Sequence, residues 1–393
     1  MRVAQADTSS RGEQAGAGDG GYHRPPILVG YTYEPADAYL ARDQERLLSL
    51  RLETNRSCNL RCRYCYARSS PDDGRRLEAD QLERIVRQAA DLGARSIVVI
   101  GGGEPTLHPH FERLVGFIHS LQMVPVVFTN AVLMTRDLAR SLYASNASVM
   151  VKLDSLQPSV QDHLAGRRGA FKLMQEGIAN LVEAGFTRVD DPHRLRLGAS
   201  FVSCRMNTGE IEEIWHYCRR GGIFPNMEVL TPTGRADQEL IGQGLTTEEI
   251  QAYKLKLLQV DRACYGFDWL PHTPLTASGC LQHLYSLYVT IDGDVRPCAP
   301  TKFDEHPALR RRGVYPYNVF RATLREIHRS ELFEYVRHID AHLEGRCRRC
   351  RHLDECIGCR GYAYSVGVKA GLGPREALRG PCLQCSLQER EAT

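Results

Sequence analysis

Residues 53–66 read Glu-Thr-Asn-Arg-Ser-Cys-Asn-Leu-Arg-Cys-Arg-Tyr-Cys-Tyr, with three and then two residues separating Cys58, Cys62 and Cys65. Three thiolates so spaced on one short loop can reach three irons of a single cubane cluster, and thiolates are the usual ligands of iron–sulfur clusters. A 4Fe–4S cube then keeps one iron without a protein ligand, open to a small molecule. Two plainer readings compete. Zinc usually takes its ligands as two separated pairs. A disulfide framework needs an oxidising compartment, of which the chain carries no sign.

Around the loop runs a strand–helix rhythm. Leu48–Glu53 is a strand that delivers the chain into the cysteines, and Ser96–Ile100 is a second that runs into Gly101-Gly102-Gly103-Glu104-Pro105. Further strands are expected over Val124–Thr129, Ser148–Leu153, Leu195–Val202 and Asn226–Leu230. Between them the spacing predicts helices over Ala79–Leu92, His110–Leu121, Thr135–Ala144, Ala170–Ala184 and Glu210–Arg220. Strands apolar on both faces and alternating with helices imply a covered parallel sheet. Six such units predict an α/β fold, a partial (β/α)6 TIM-like barrel. Ligands of such folds sit at the C-terminal ends of the strands. The cysteine loop, the glycine run, Asn130, Lys152 with Asp154, and Ser200 to Ser203 all fall there.

The 393 residues leave room for two to three domains. Residues 1–24 are polar and too poor in apolar surface to order, so a disordered tail is expected. An N-terminal extension follows at 25–47, in which Tyr31 to Leu40 is expected to pack over one end of the core; the barrel takes 48–232. Residues 233–278 read as a linker, polar and glycine-containing to Gly244, and a helix over Thr246–Val260. From 279 to 393 the alternation stops and cysteines become dense. There Tyr285–Ile291 and Asp294–Pro297 flank an Asp292-Gly293 turn as a hairpin, and Leu324–His338 reads as a helix.

Fifty basic against 47 acidic residues give no pull toward nucleic acid or membrane. No stretch approaches the roughly 20 apolar residues of a membrane helix, and the first residues hold no signal peptide. A cytoplasmic protein is expected. Fourteen cysteines in such a chain point to metal or redox chemistry.

The cysteine loop, with Tyr64 before its last cysteine, resembles the signature of radical SAM enzymes, and Gly102-Gly103-Glu104-Pro105 resembles the glycine-rich motif of the same family. The C-terminal cysteines are similar to the family's SPASM extension. Cys280, twelve residues, Gly293, four residues and Cys298 form its first element. Cys347, Cys350, Cys356 and Cys359 form the second, with one residue fewer than the family pattern before Cys359, and Cys382 or Cys385 is the distal ligand.

The resemblance implies three 4Fe–4S clusters. The first, on Cys58, Cys62 and Cys65, would bind S-adenosylmethionine (SAM). Cys280, Cys298 and Cys359 would hold the first auxiliary cluster, with Cys264 as a candidate fourth ligand. Cys347, Cys350, Cys356 and Cys382, or Cys385 in place of Cys382, would hold the second. Tyr64, Gly102, Gly103, Glu104, Lys152, Asp154 and Ser200 would bind SAM. The family's 5′-deoxyadenosyl radical would abstract a substrate hydrogen atom, an auxiliary cluster would accept an electron, and flavodoxin or ferredoxin would be the electron donor.

Three outcomes are compatible with this chemistry. The expected one is dehydrogenation of a hydroxyl on a small natural product of aminocyclitol, aminoglycoside or sugar type. The alternatives are maturation of a ribosomally made peptide, or epimerisation with a cysteine such as Cys204 as hydrogen donor. Fewer than 50 residues precede the first strand, which leaves no room for an added leader-binding domain and weighs against a peptide. Sulfatase maturases usually carry an acidic residue where this chain has Ala299. Cys218, in a helix, reads as a small core residue.

Overall fold

The computed structural model describes residues 23–302 apart from 101, 189, 232 and 270–279, then 315–353, 356–382 and 385. The segment expected to be disordered lies outside these except for its last two residues. Ten strands are described: β1 (Ile27–Leu28), β2 (Ser49–Leu52), β3 (Ser96–Val99), β4 (Val124–Thr129), β5 (Ser148–Lys152), β6 (Arg194–Leu195), β7 (Leu197–Ser203), β8 (Phe224–Val229), β9 (Ser286–Val289) and β10 (Val295–Arg296). Eight form one sheet in the order β10-β9-β2-β3-β4-β5-β7-β8. From β2 to β8 every pairing is parallel, each strand lying beside the one before it in the series. Helices cross between them, so the α/β partial barrel is as the alternation predicts. Its sheet is open, with β10 and β8 at the edges.

The two faces of each strand do different work. Leu50, Leu52, Ile97, Val99, Val149 and Val151 pack outward against the helices in the main core. Burying such a side chain contributes about 1.5–3 kcal/mol. The intervening residues Ser49, Arg51, Val98, Val126, Lys152 and Ser200 face inward by strand alternation. The lower end of the interior is closed by residues 29–33. Ser96 Oγ donates to the Gly30 carbonyl at 2.6 Å, Tyr33 Oη donates to the Leu48 carbonyl at 2.9 Å, and the Tyr31 ring lies 5.3 Å from Phe128.

The hairpin at the Asp292-Gly293 turn forms as expected, with Gly293 at φ +81°. It is also part of the main sheet, because β9 runs parallel to β2 from Ser286 opposite Ser49 to Val289 opposite Leu52. The helix expected over Leu324–His338 is two, Leu324–His328 and Glu331–Arg337. Ser330 ends the first by donating its hydroxyl back to the Ile327 carbonyl at 2.6 Å, the local competition that disfavours serine inside helices. Among the described residues no helix is long and apolar enough to cross a membrane.

Candidate functional site

The cysteine loop leaves the upper end of β2 and is fastened from three sides. The glycine turn after β3 is the first: Gly103 N donates to Asn55 O at 2.6 Å and Glu104 N to Ser57 O at 2.8 Å, while Asn55 Nδ2 returns a bond to the Glu104 carbonyl at 3.0 Å. Gly102 sits at φ +63°, and a Cβ on it or on Gly103 would collide with the Asn55 or Ser57 carbonyl. Only glycine permits this approach. The end of the helix Pro158–Ala165 is the second, its Ala165 and Leu164 carbonyls accepting from Arg61 N at 3.2 Å and Arg63 N at 2.9 Å.

The third fastening is Arg235, which sequence reasoning assigned to a linker. Its backbone N–H donates to Cys65 O at 3.0 Å, its Nη1 to Cys62 O at 2.9 Å and its Nη2 to Ser69 O. Glu239, on the following helix Ala236–Glu239, pairs with Arg61 at 2.8 Å and Arg63 at 3.5 Å. The stretch after β8 is therefore a clamp. No local pattern announces it, since its partners are backbone carbonyls far away in the chain.

The three thiols are half-buried. Burial, then the Glu104 carboxylate, pushes Cys58 up to about 12. Burial, then the neighbouring Cys58 and Cys65 thiolates, raises Cys62. Cys58 and Cys62 thus feel the charge of neighbouring thiolates, which fits a shared cationic group that binds them together. Among the described residues no three His, Cys, Asp or Glu converge on a single ion. Separate irons of a cube, each with its own thiolate, demand no such convergence.

Glu104 is buried under the loop. Its Oε1 accepts from Thr106 N, Thr106 Oγ1 at 2.8 Å and Thr129 Oγ1 at 2.7 Å, and its Oε2 accepts from Asn130 N at 2.8 Å. Burial raises its pKa against these four donors. Asn130 Nδ2 donates to Asn59 Oδ1 at 2.7 Å, which ties the end of β4 to the cysteine loop.

Lys152, Asp154 and Tyr64 meet at the end of β5. Tyr64 Oη donates to Asp154 Oδ2 at 2.6 Å, Val202 N donates to Asp154 Oδ1 at 2.8 Å, and Lys152 Nζ lies 3.5 Å from the same Oδ1. Both oxygens of this fully buried carboxylate are engaged within the protein, so Asp154 stands as a strut between the cysteine loop, β5 and β7 rather than as an open contact. Lys152 also lies 3.5 Å from Glu228 and over the Tyr64 ring. Ser200 is buried and accepts from Asn226 Nδ2 at 3.2 Å. Cys204 is buried among Leu164, Val202, Leu230 and Ala236. Cys218 is buried in the main core.

The C-terminal cysteines fall into two neighbouring groups. Burial, then Cys280 and Cys359, raises Cys298 well above the ordinary thiol range, so these three share one neighbourhood. Cys359 caps the helix Arg360–Lys369, its thiol accepting from Tyr362 N. In the second group Cys382 N donates to Cys347 Sγ at 3.5 Å, and Arg360 Nη2 lies 3.8 Å from the same sulfur. Arg346 Nη2 donates to the carbonyls of both Cys382 and Cys385, at 2.7 and 3.3 Å. Cys350 and Cys356 accept from His352 N and Gly358 N, each at 3.4 Å. Cys264 is exposed on the turn Asp261–Tyr265, beside Tyr265, whose hydroxyl meets His216 at 2.7 Å. None of its described contacts reaches Cys280, Cys298 or Cys359.

One further chain of groups joins the two cysteine regions. Tyr66 Oη donates to Tyr288 Oη at 3.3 Å, Tyr288 Oη to Glu53 Oε1 at 2.6 Å, and Ile291 N to Glu53 Oε2 at 3.0 Å. It links the residue after Cys65 to β9 of the hairpin that leads to Cys298.

A thiolate triad above a glycine turn, at the upper ends of a parallel barrel with a second cysteine-rich unit beside it, defines an iron–sulfur protein built around SAM. Residues 52–192 match the Radical SAM superfamily and residues 280–351 match the SPASM iron–sulfur cluster-binding domain, so the chain carries a radical SAM domain followed by a SPASM domain. Its cofactors are SAM and 4Fe–4S clusters, auxiliary ones included. It is 28% identical over 348 residues to mycofactocin maturase MftC of Mycolicibacterium smegmatis, covering 86% of this chain and 82% of that one. A probable GTP 3′,8-cyclase of Methanococcus maripaludis is 26% identical over 64% of this chain and 85% of its own. The fold is similar to that of Streptococcus suis SuiB bound to its precursor peptide SuiA, with TM-score 0.63, 19% identity, and 90% of this chain and 80% of that one covered.

Proposed function

We propose that the chain matures a peptide substrate by radical chemistry, in place of the small hydroxylated metabolite that the sequence led us to expect. The observation that carries this reading is the reach of the maturase likeness. It extends over 86% of the chain, whereas the cyclase likeness covers 64%. The open sheet supports it as well, since a barrel with two separate edges can admit an extended chain from the side.

Cys58, Cys62 and Cys65 hold the SAM-binding cluster. Cys280, Cys298 and Cys359 hold the first auxiliary cluster, and Cys347, Cys350, Cys356 and Cys382 the second. The bound cofactors supply a radical able to take a hydrogen atom from carbon. The residues do the rest. Gly102 and Gly103 bring backbone close to the bound SAM. Glu104 is preorganised by four donors and keeps a lone pair on Oε2 for the SAM ammonium. Tyr64, fixed by Asp154, holds the loop at one height above the strand ends. Lys152 offers a positive charge beside Glu228 at the rim of the interior. Residues 29–33 close the lower end against water. A cytoplasmic location follows from thiolate-held clusters, which need reducing surroundings.

The test is to incubate the reconstituted full chain, SAM and a strong reductant with any short peptides encoded by the genes flanking its own, and in parallel with aminocyclitols and aminoglycosides. A peptide mass change coupled to 5′-deoxyadenosine release is expected. Oxidation of the small hydroxylated compounds, with the peptide untouched, would overturn the reading.

A further inference from the structure

Four arginines, Arg61, Arg63, Arg167 and Arg168, line a recess of about 370 Å³ beside the cysteine loop. Two carboxylates, Asp162 and Glu239, line it with them. Glu239 is shared by Arg61 at 2.8 Å and Arg63 at 3.5 Å. Asp162 is occupied by backbone, accepting from Gly169 N at 2.5 Å and Phe171 N at 2.8 Å. Arg167 donates to the Asn59 carbonyl at 3.3 Å, and neither it nor Arg168 pairs with a carboxylate among the described residues. Both are exposed. The recess carries net positive charge and presents two uncompensated guanidiniums to solvent.

That charge is fixed to the cluster loop. Arg167 and Arg168 form the turn between the helices Pro158–Ala165 and Ala170–Ala184. Gly166 opens the turn at φ +65°, where a Cβ would collide with the Arg61 carbonyl, so turn and loop touch backbone to backbone. Beneath them lie Leu60, Ala165, Ala170 and Met174, an apolar layer against which Cys58 and Cys62 pack. Tyr64 turns the other way, to the buried Asp154 at 2.6 Å. The recess therefore faces away from the strand ends, while one layer of side chains separates it from two ligands of the cluster.

An iron–sulfur cluster takes up and gives up single electrons, and electron tunnelling falls steeply with distance. A substrate in this recess would be cut off from the barrel interior by the loop, whereas a redox protein there would be within reach of the cluster. The charge selects an acidic one. We infer that the recess is the docking site of a small acidic iron–sulfur protein, a ferredoxin, that reduces the cluster on Cys58, Cys62 and Cys65. One electron passes: the carrier's cluster is oxidised, the cluster of this chain is reduced, and no bond or proton moves. The inference rests on the cluster assignment proposed above and not on the identity of the substrate.

The experiment follows 5′-deoxyadenosine release by the reconstituted full chain with SAM and no peptide. It is driven in parallel by a reduced acidic 4Fe–4S ferredoxin and by dithionite, a small reductant that needs no docking. Wild type is compared with Arg168→Glu, with the double variant Arg167→Glu/Arg168→Glu, and with Arg188→Glu, a reversal at an exposed site in the connection to β6. The double variant is expected to lose about tenfold in kcat/KM for ferredoxin and Arg168→Glu about threefold, with rates on dithionite and all rates of Arg188→Glu at the wild-type level. The wild-type rate on ferredoxin should also fall as salt rises from about 50 to about 300 mM. Unchanged ferredoxin kinetics in the double variant overturn the inference, as does a wild type that turns over with dithionite and not with ferredoxin. An equal loss on both reductants overturns it by making the turn a support for the cysteine loop, and an equal loss in Arg188→Glu does so as a general charge effect. A raised KM for peptide with ferredoxin unaffected gives the recess to an acidic stretch of substrate instead. Wild type that releases no 5′-deoxyadenosine with dithionite overturns the cluster assignment itself.

Discussion

The two cysteine regions are built in opposite ways. The loop at 58–65 is held mainly through its backbone, which the glycine turn, the end of the helix Pro158–Ala165 and the Arg235 clamp all grip, while its sulfurs make long contacts, Cys58 with Asn130 Nδ2 at 4.0 Å and Cys65 with Ser69 Oγ at 3.9 Å. In the C-terminal region the sulfurs are themselves part of the scaffold. Cys347, Cys350, Cys356 and Cys359 each accept a backbone N–H, and the helices there are short, such as Gly345–Arg348 and Pro374–Arg379. The first region is a prebuilt seat for its cluster. In the second, the ligand sulfurs share in the backbone bonding, so metal binding is expected to couple to folding there.

The largest expected effect breaks function in the prebuilt region without touching its fold. Cys58→Ala should abolish 5′-deoxyadenosine formation and remove about four irons, while circular dichroism and thermal midpoint stay close to wild type. Normal turnover in that variant would remove the triad from the chemistry. Next comes the C-terminal region. Stripping the clusters with an iron chelator should open residues 345–385 to protease first and leave a resistant fragment containing residues 48–230. Simultaneous loss of both regions would show that they are held in the same way.

Arg235→Ala tests the clamp. It leaves the Cys62 and Ser69 carbonyls without their charged donor. Charge-assisted bonds of this kind contribute about 1.5–3 kcal/mol each, so a loss of about 3 kcal/mol in stability is expected, read by anaerobic urea denaturation. The SAM-binding cluster should also release iron faster than wild type. A stability change below about 0.5 kcal/mol, the range of ordinary surface substitutions, would return the segment to the status of a linker.

How much of this was legible follows from the range of each interaction. The six parallel strands were readable to within about two residues, because their signal is a local apolar run. The glycine turn was readable because Gly102 and Gly103 are demanded by a close approach. Arg235 was not, since carbonyl partners leave no trace in composition. Asp154 was read as an open contact because its position at a strand end is visible and its enclosure is not. The join of β9 to β2 was hidden because the two strands lie more than 200 residues apart.

A smaller effect lies on the C-terminal side. Burial, then Arg337, Arg329 and Arg325, pushes His328 down to about 3. Its unfolded value is about 6.5. Between these values the unfolded chain binds the extra proton, so stability is complete above about pH 6.5 and falls as the pH drops toward 3. By pH 5 the loss is about 2 kcal/mol. Urea midpoints at pH 7.5 and 5 should show it, and His328→Leu should flatten the slope. An unchanged slope in the variant would place the acid sensitivity elsewhere.

The smallest effect sharpens the comparison most, because it tests what joins the two regions. Tyr288 receives the Tyr66 hydroxyl and donates to Glu53, so this side chain of the hairpin strand β9 touches both the end of the cysteine loop and the residue that leads into it. Tyr288→Phe keeps the ring in place and removes the bridging oxygen. Glu53 Oε1 and the Tyr66 hydroxyl then each lose one hydrogen-bond partner in a buried setting, at a cost of about 1 kcal/mol. Were the two regions independent, the loss would appear only as global stability. If the bridge couples them, the EPR line shape of the SAM-binding cluster should also change, although its own ligands are intact. A variant that is about 1 kcal/mol less stable with an unaltered SAM-cluster spectrum would show that the hairpin and the cysteine loop share a wall and nothing more.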